Sequence, residues 1–330
     1  MKTENLSTCP SCGFKVFSEP IGSYEICPIC NWEDDLVQTE NPDLKGGANK
    51  LSLKESQQES IEKIPLNIKV FKSFHRDPEW RPLTKTHRIK ILGVPFDHVT
   101  KVEALRMVLS HLEKGQASPH KPFFIATPNP EMLLEADKNE AFKKILQQTD
   151  LNIADGIGIL LASKVLKTPL PERVTGVDLM RAICAQSTKG TKIFLLGAKE
   201  GVAETAKQKL ESEIPSIQIV GTYSGSPSLN HEQKICTIID ASGAEILFVA
   251  FGAPKQEFWL NKNLPNLPHI KIAMGVGGAF DFIAGIRKRA PHWMQKIWLE
   301  WLYRLIQEPS RIKRIFNATV RFPIKFISSK

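Results

Sequence analysis

From about residue 89 onward, short apolar runs alternate with longer stretches of helical periodicity. The runs at 123–127, 151–154, 192–197, 217–220, 245–252 and 270–274 are short, β-branched and apolar on both faces, as strands buried in a parallel sheet are. Between them, helices are predicted at about 100–114, 130–148, 156–166, 178–189, 200–213, 229–241 and 255–263. The alternation predicts an α/β fold, an open Rossmann-like parallel sheet with helices on both faces and right-handed crossovers.

Ligands of such sheets bind beyond the carboxyl ends of the strands. The residues there are polar or glycine-rich: Thr127-Pro128-Asn129-Pro130, Asp155-Gly156-Ile157-Gly158, Gly197-Ala198-Lys199-Glu200, Gly252 to Glu257, and Gly275-Val276-Gly277-Gly278. Glycine lets a ligand approach the backbone, and helix N-termini favour phosphate. One such loop is ordinary; five together point to a nucleotide-type ligand. Asp155 is the best-placed general base, able to take a proton from a hydroxyl nucleophile. Capping the helix at 156–166 is an equally good use of an aspartate there. No Asp-x-Asp pair follows residue 88, which weakens the case for a metal-bridged nucleotide diphosphate.

The first 56 residues follow another pattern. Cys9-Pro-Ser-Cys12 and Cys27-Pro-Ile-Cys30 form two C-x2-C knuckles with 14 residues between them. Four thiolates so arranged suit a structural zinc ion and leave no open position for a catalytic water. A redox pair and a metal-free cluster are the alternatives. A charged helix and a linker are read from 57 to 88, then the α/β domain from 89 to 284 and a basic appendage from 285 to 330. His75, His87 and His98 are assigned no role, and Cys184 and Cys236 are expected in the core.

Charge sharpens the division. The chain of 330 residues carries 44 Lys+Arg against 35 Asp+Glu, a formal +9. The whole excess lies in 285–330, where eleven bases meet two acids. Met294, Ile297, Trp298, Trp301, Leu302 and Leu305 form a helical apolar stripe, and Ile312, Ile315, Phe316 and Val320 a second one among arginines and lysines. The first suits a helix docked on the core; the second suits an interfacial helix on an anionic membrane, with a solvated charged face as the plainer alternative. An apolar content of 42% excludes a disordered chain. No apolar run approaches the ~18 residues of a membrane span. The start lacks a signal-peptide pattern, so a cytoplasmic location is expected.

Taken together, ILGVPFD, TPNPEM, ADGIGI, ERVTGVDL, FLLGAKEGVAE, GTYSG, LFVAFGAPKQE, GVGGAFDFIAG, RAPHWMQ and LEWLYRLIQEPSR resemble the WecG/TagA/CpsF glycosyltransferases (glycosyltransferase family 26) over about 89–316. The resemblance implies transfer of an N-acetylmannosamine-type sugar from a UDP-sugar donor to a polyprenyl-diphosphate-linked saccharide acceptor, for teichoic acid, common antigen or exopolysaccharide. It implies inversion at the anomeric centre, no catalytic metal, and attachment to the inner face of the cell membrane. By motif, Asp155 corresponds to the catalytic base, with Thr127 and Asn129 in its pocket. Arg173 and Gln256 correspond to polar residues near sugar and phosphates, and Tyr223 and Asp281 to the uridine site, supported by Gly275, Gly277 and Gly278. Arg304, Arg311 and Arg314 become candidates for the acceptor diphosphate. Residues 9–56, through CPSCG, GSYEICPIC, NWEDD and GGANKLSL, resemble the bacterial cysteine-rich CPCC module, which implies no activity.

Two other readings compete. A nicotinamide-dependent oxidoreductase would need G-x-G-x-x-G after its first strand with an acid ~20 residues on, and Gly156/Gly158 is only a fragment of that. A zinc-ribbon nucleic-acid binder would use the knuckles and the basic tail, yet Glu33, Asp34, Asp35, Glu40 and Asp43 crowd the knuckle module. Nucleic acid is therefore not an expected partner, whereas a homo-oligomer is compatible with the pattern.

Overall fold

A computed structural model describes residues 6–65, 68–78, 80, 82, 88–113, 121–187, 190–225, 229–291, 294 and 300–329. It divides the chain into two compact units, Met1–Thr86 and His87–Lys330.

The first unit is built from two matching cysteine knuckles. In each, the amide of the first cysteine donates to the carbonyl five residues on (Cys9 to Phe14, 2.9 Å; Cys27 to Trp32, 2.8 Å), and the residue after the second cysteine turns back to bond the first. Gly13 (φ 78°) and, at the same place in the second knuckle, Asn31 (φ 61°) supply the left-handed backbone that this return requires. Phe14 and Trp32 follow directly and are buried. The helix Leu53–Lys63 starts at Ser52 with a capping box closed by Glu55.

The stretch from 57 to 88 begins with the body of that helix, as expected, but where a linker was expected it carries a hairpin, Val70–Phe71 with Phe74–His75. Buried Arg76 ties it down, donating to the carbonyls of Cys12, Pro65 and Ile64 with its guanidinium 4.4 Å from the Phe14 ring centre. The acids of NWEDD are turn builders. Asp34 accepts from the Gly22 and Ser23 amides, and Asp35 caps the helix Leu36–Glu40.

Among the described residues, the main sheet of the second unit has the strands β1 (Phe123–Ala126), β2 (Leu151–Asn152), β3 (Lys192–Gly197), β4 (Gln218–Tyr223), β5 (Ile246–Ala250) and β6 (Ile272–Gly275). They form one wholly parallel sheet in the order β4-β3-β5-β6-β1-β2. Its helices are α1 (Lys101–Glu113), α2 (Pro130–Lys138), α3 (Glu140–Gln148), α4 (Ile157–Val165), α5 (Gly176–Gln186), α6 (Val202–Glu213), α7 (Leu229–Ser242), α8 (Lys255–Asn263) and α9 (Ala279–Ile283). Side chains alternate across the sheet with period two. Ile125, Ile193, Leu195, Phe248 and Met274 pack beneath α1, α5, α6 and α9. Phe124, Phe194, Leu196, Leu247 and Ala273 pack beneath α7 and α8 on the other face.

The predicted helix at 130–148 is broken at Asn139, which ends α2 and caps α3 through its side chain. Strand β4 runs three residues beyond its predicted end and carries Tyr223 in the strand itself. A hairpin at the start of the unit, Arg88–Ile91 with Val94–Asp97, turns through Leu92 and Gly93, both at positive φ, as a type I′ turn needs. Its buried Asp97 accepts from the Asn152 amide (2.7 Å) and from Arg88 Nε (2.9 Å), which fastens the hairpin to the sheet edge.

The appendage is irregular over 285–291 and helical from 300 onward: α10 (Glu300–Gln307), then α11 (Ile312–Phe316), a π turn Asn317–Arg321, and α12 (Phe322–Ser328). Ile297 and Trp298 of the first stripe lie outside the described residues. No helix among the described residues is long and apolar enough to cross a membrane.

Candidate active site

Strands β3 and β5 are neighbours whose onward connections run in opposite directions, β3 through α6 to β4 and β5 through α8 to β6. A doubly wound sheet opens a crevice at such a switch point. The predicted site residues lie along this rim.

At the β1–β2 end, three segments converge on Gly176, the first residue of α5. Asp155 Oδ2 lies 3.5 Å from the Gly176 amide. A Cβ placed on Gly176 would be 3.5 Å from both Thr127 Oγ1 and Cγ2. Asp155 and Thr127 thus flank one helix N-terminus, whose dipole favours negative charge. Asp155 does not cap α4, because Gly156 takes that N-cap position and no side-chain cap bond is made there. That backbone, at φ 132°, is open to glycine alone, and a Cβ there would stand 3.1 Å from Pro130. Asn129 Oδ1 is committed to the amides of Glu131 and Met132 as the cap of α2. Arg173 is partly buried just before Val174, whose amide bonds the Ala154 carbonyl beside Asp155.

At the centre, Gln256 is buried and both ends of its amide are engaged by the protein. Oε1 accepts from the Gly252 amide (3.2 Å) and the Gly277 amide (3.0 Å), and Nε2 donates to Glu257 Oε1 at 2.7 Å. Gly275 makes room for this, since a Cβ there would lie 2.6 Å from Gln256 Nε2. Gly252 and Gly277, both at positive φ, have nothing within 4 Å on their Cβ sides. Gly278 opens α9, with Asp281 in its first turn. Arg287 lies over this turn, its Nη1 3.8 Å from a Cβ position on Gly278 and its Nε 3.5 Å from Asp281 Oδ2.

Tyr223 stands at the other end of the rim. Five strand spacings separate it from the end of β2, ~24 Å at ~4.8 Å each, so the structure does not bring it beside Asp155. Asp281 is carried toward its side by the packing of α9 on α6.

The appendage reaches the same rim. Phe322 of α12 lies 3.6 Å from a Cβ position on Gly158, in the Asp155 loop. Arg314 makes a forked pair with Glu131 of α2 (Nη2 to Oε2, 2.8 Å), which raises its already high pKa. Arg311 pairs with Glu308, which also meets Arg287 Nε at 2.9 Å. Arg304 falls on α10, but its side chain lies outside the described residues.

Two residues at the rim escape the sequence pattern. Glu257 is given no role by its place in the PKQE run, yet it is fully buried, and its Oε2 has no hydrogen-bond partner among the described residues. Burial pushes its carboxyl up to about 7. Arg287 is one base among eleven in the tail, and only its folding back over Gly278 marks it. The closeness of Gln256 to Gly275 is likewise invisible before the strands are aligned.

In the first unit, the sulfurs of Cys9, Cys12, Cys27 and Cys30 all lie within 4.8 Å of one another, with Cys9–Cys30 and Cys12–Cys27 at 3.6 Å. Zinc at ~2.3 Å from each sulfur of a tetrahedron places the sulfurs ~3.8 Å apart, so the cluster fits a metal ion. Burial, with the neighbouring cysteines adding to it, pushes the Cys9 thiol up; a bound cation is what would let four such thiols ionise together.

Residues 89–330 match the model of the glycosyl transferase WecG/TagA/CpsF family, and residues 7–64 match that of the cysteine-rich CPCC family. An N-acetylglucosaminyldiphosphoundecaprenol N-acetyl-β-D-mannosaminyltransferase of Bacillus spizizenii is 34% identical over 225 residues, 68% of this chain and 86% of the relative. One of the same description from Staphylococcus aureus (strain MRSA252) is 33% identical over 248 residues, covering 75% of this chain and 95% of the relative.

Proposed function

The chain belongs to the WecG/TagA/CpsF glycosyltransferase family, and on that footing we propose that it transfers an N-acetylmannosamine-type sugar from a UDP-sugar to an N-acetylglucosamine carried on a polyprenyl diphosphate. The observation that carries this reading is the convergence of Asp155 and Thr127 on the N-terminus of α5, at the carboxyl rim of the sheet.

In the proposed reaction an acceptor hydroxyl attacks the anomeric carbon. Asp155 takes the hydroxyl proton as the new C–O bond forms, and the bond to the diphosphate breaks on the opposite face with its electron pair leaving on UDP. The outcome is inversion. Thr127 orients the acceptor or donor hydroxyl beside Asp155. Negative charge growing on the diphosphate meets the backbone N–H groups of the glycine turns and the guanidiniums of Arg173 and Arg287. Uridine lies toward Asp281 and Tyr223, so that the donor stretches along the rim.

The product fits a step in surface-polysaccharide synthesis. The second apolar stripe supports a peripheral place on an anionic membrane. Ile312 (58%), Phe316 (51%), Ile324 (63%) and Ile327 (68%) are exposed on the run from α11 to α12, with Lys313, Arg321 and Lys325 around them. The acceptor's lipid would enter along that side. Zinc is the metal we assign to the cysteine cluster, in a structural role.

Asp155→Asn tests the assignment. The variant is expected to bind UDP as the parent does and to lose about 10²–10⁴-fold in turnover, measured with UDP-N-acetylmannosamine and a synthetic lipid-diphosphate acceptor. Near-parental turnover with intact UDP binding would remove Asp155 as the base.

A further inference from the structure

A side-chain amide can be turned end for end at little cost unless its partners choose for it. Those of Gln256 choose. Two backbone amides, from Gly252 after β5 and Gly277 after β6, point at one of its ends and require an oxygen there. The NH2 group is thereby driven inward, to a place where water does not reach. Gly275 crowds it, with a Cβ position 2.6 Å from Nε2 and 3.1 Å from Glu257 Oε1. Glu257 Oε1 is the acceptor found there, at 2.7 Å.

We infer that Glu257 is a positioning residue of the transfer site: it locks the Gln256 amide in the one orientation that ties the glycine turns of β5 and β6 to a single oxygen. This inference rests on the reading that the nucleotide diphosphate lies against those turns. Glu257 itself does not touch the ligand. It is fully buried, and its action passes through Gln256 to the two turns, whose glycines are open on their outer side.

The second oxygen of Glu257 identifies the working form. With no partner for Oε2 among the described residues, an ionised carboxylate would keep half its acceptor capacity unmet in a dry site, whereas the neutral acid places its proton there. The raised pKa of the group agrees. Glutamine has the shape of that neutral acid and keeps the acceptor for Gln256. Methionine keeps the volume and removes it.

The experiment compares E257Q and E257M in the full-length protein by two measurements, hydrogen exchange at the Gly252 and Gly277 amides and the KM for UDP-sugar with kcat read separately. E257Q should stay within about twofold of the parent in both, because the acceptor is retained. E257M should exchange both amides about tenfold faster and raise KM about tenfold, the effect of a buried amide left without its partner, while kcat falls less. Parental exchange and KM in E257M would overturn the inference, as would equal damage in E257Q. Should E257M fail to fold, the parent still decides: Gly252 and Gly277 amides exchanging as fast as unbonded loop amides would overturn it. A parent that protects both amides yet binds no UDP would refute the underlying reading of the site instead.

Discussion

A single buried carboxyl shows how a residue's surroundings rewrite its chemistry. Glu257 follows a glutamine in a polar run, and nothing in its neighbours along the chain says that it faces inward. In the folded state burial holds its pKa at about 7, above the ordinary 4.5. The neutral acid therefore survives in the native protein at a pH where the unfolded chain has already ionised. The stability it contributes is complete below about pH 4.5, declines as pH rises, and is gone above about 7. Urea midpoints for the parent and E257Q at pH 5 and pH 8 should show the parent losing more, by an amount on the order of a few kcal/mol. Parallel pH dependence in the two proteins would mean that Glu257 is solvated or paired. Asp155 shows the reverse case. Its place directly after an apolar run was legible, but whether it caps α4 or faces the rim was not, since an aspartate serves either role. The backbone decided, by giving the N-cap to Gly156.

Among the appendage's elements, α12 reaches the Asp155 segment. Its Phe322 and Phe326 stack with ring centres 6.2 Å apart and are buried with Phe96, Met132 and Ile159 of the hairpin, α2 and α4. The helix thereby braces the loop that carries Asp155, while its outer face stays apolar and exposed. Phe322→Ala removes the ring nearest Gly158 and should cost about 3–5 kcal/mol of docking. The expected readout is faster proteolysis within 312–329 without a matching change in sheet unfolding, together with a fall in kcat/KM. Unchanged cleavage of the tail would show that α12 is held by other contacts. The second stripe was visible in the sequence as a helical period, and so was its basic company. That stripe stopped at Val320, however, and which apolar residues beyond it turn inward was not visible: buried Phe322 and Phe326 share their helix with exposed Ile324 and Ile327.

At the scale of the whole molecule, two units with separate cores share one chain. The cysteine unit buries Phe14, Phe17, Trp32 and Leu53 around its knuckles, a small core for which a metal would supply folding energy. Treating the full chain with a strong chelator should expose residues 7–64 to protease while a fragment beginning near residue 87 persists. Protection of both parts after demonstrated loss of metal would show that the cysteine cluster is stable without it. The sequence by itself determined the alternation of the main sheet's strands with helices, the two cysteine knuckles, the basic tail and the family motifs. Each of these depends on local period, spacing or composition, and survives being read one residue after another. Only the tertiary structure decided the strand order β4-β3-β5-β6-β1-β2, the meeting of Asp155 and Thr127 at Gly176, the Gln256 clamp between two glycine turns, and the folding of the 70–76 hairpin onto the cysteine knuckles. These are contacts between segments far apart in the chain. They follow from which apolar faces can be buried together and which buried polar groups find partners, and that matching is made only when the whole core closes.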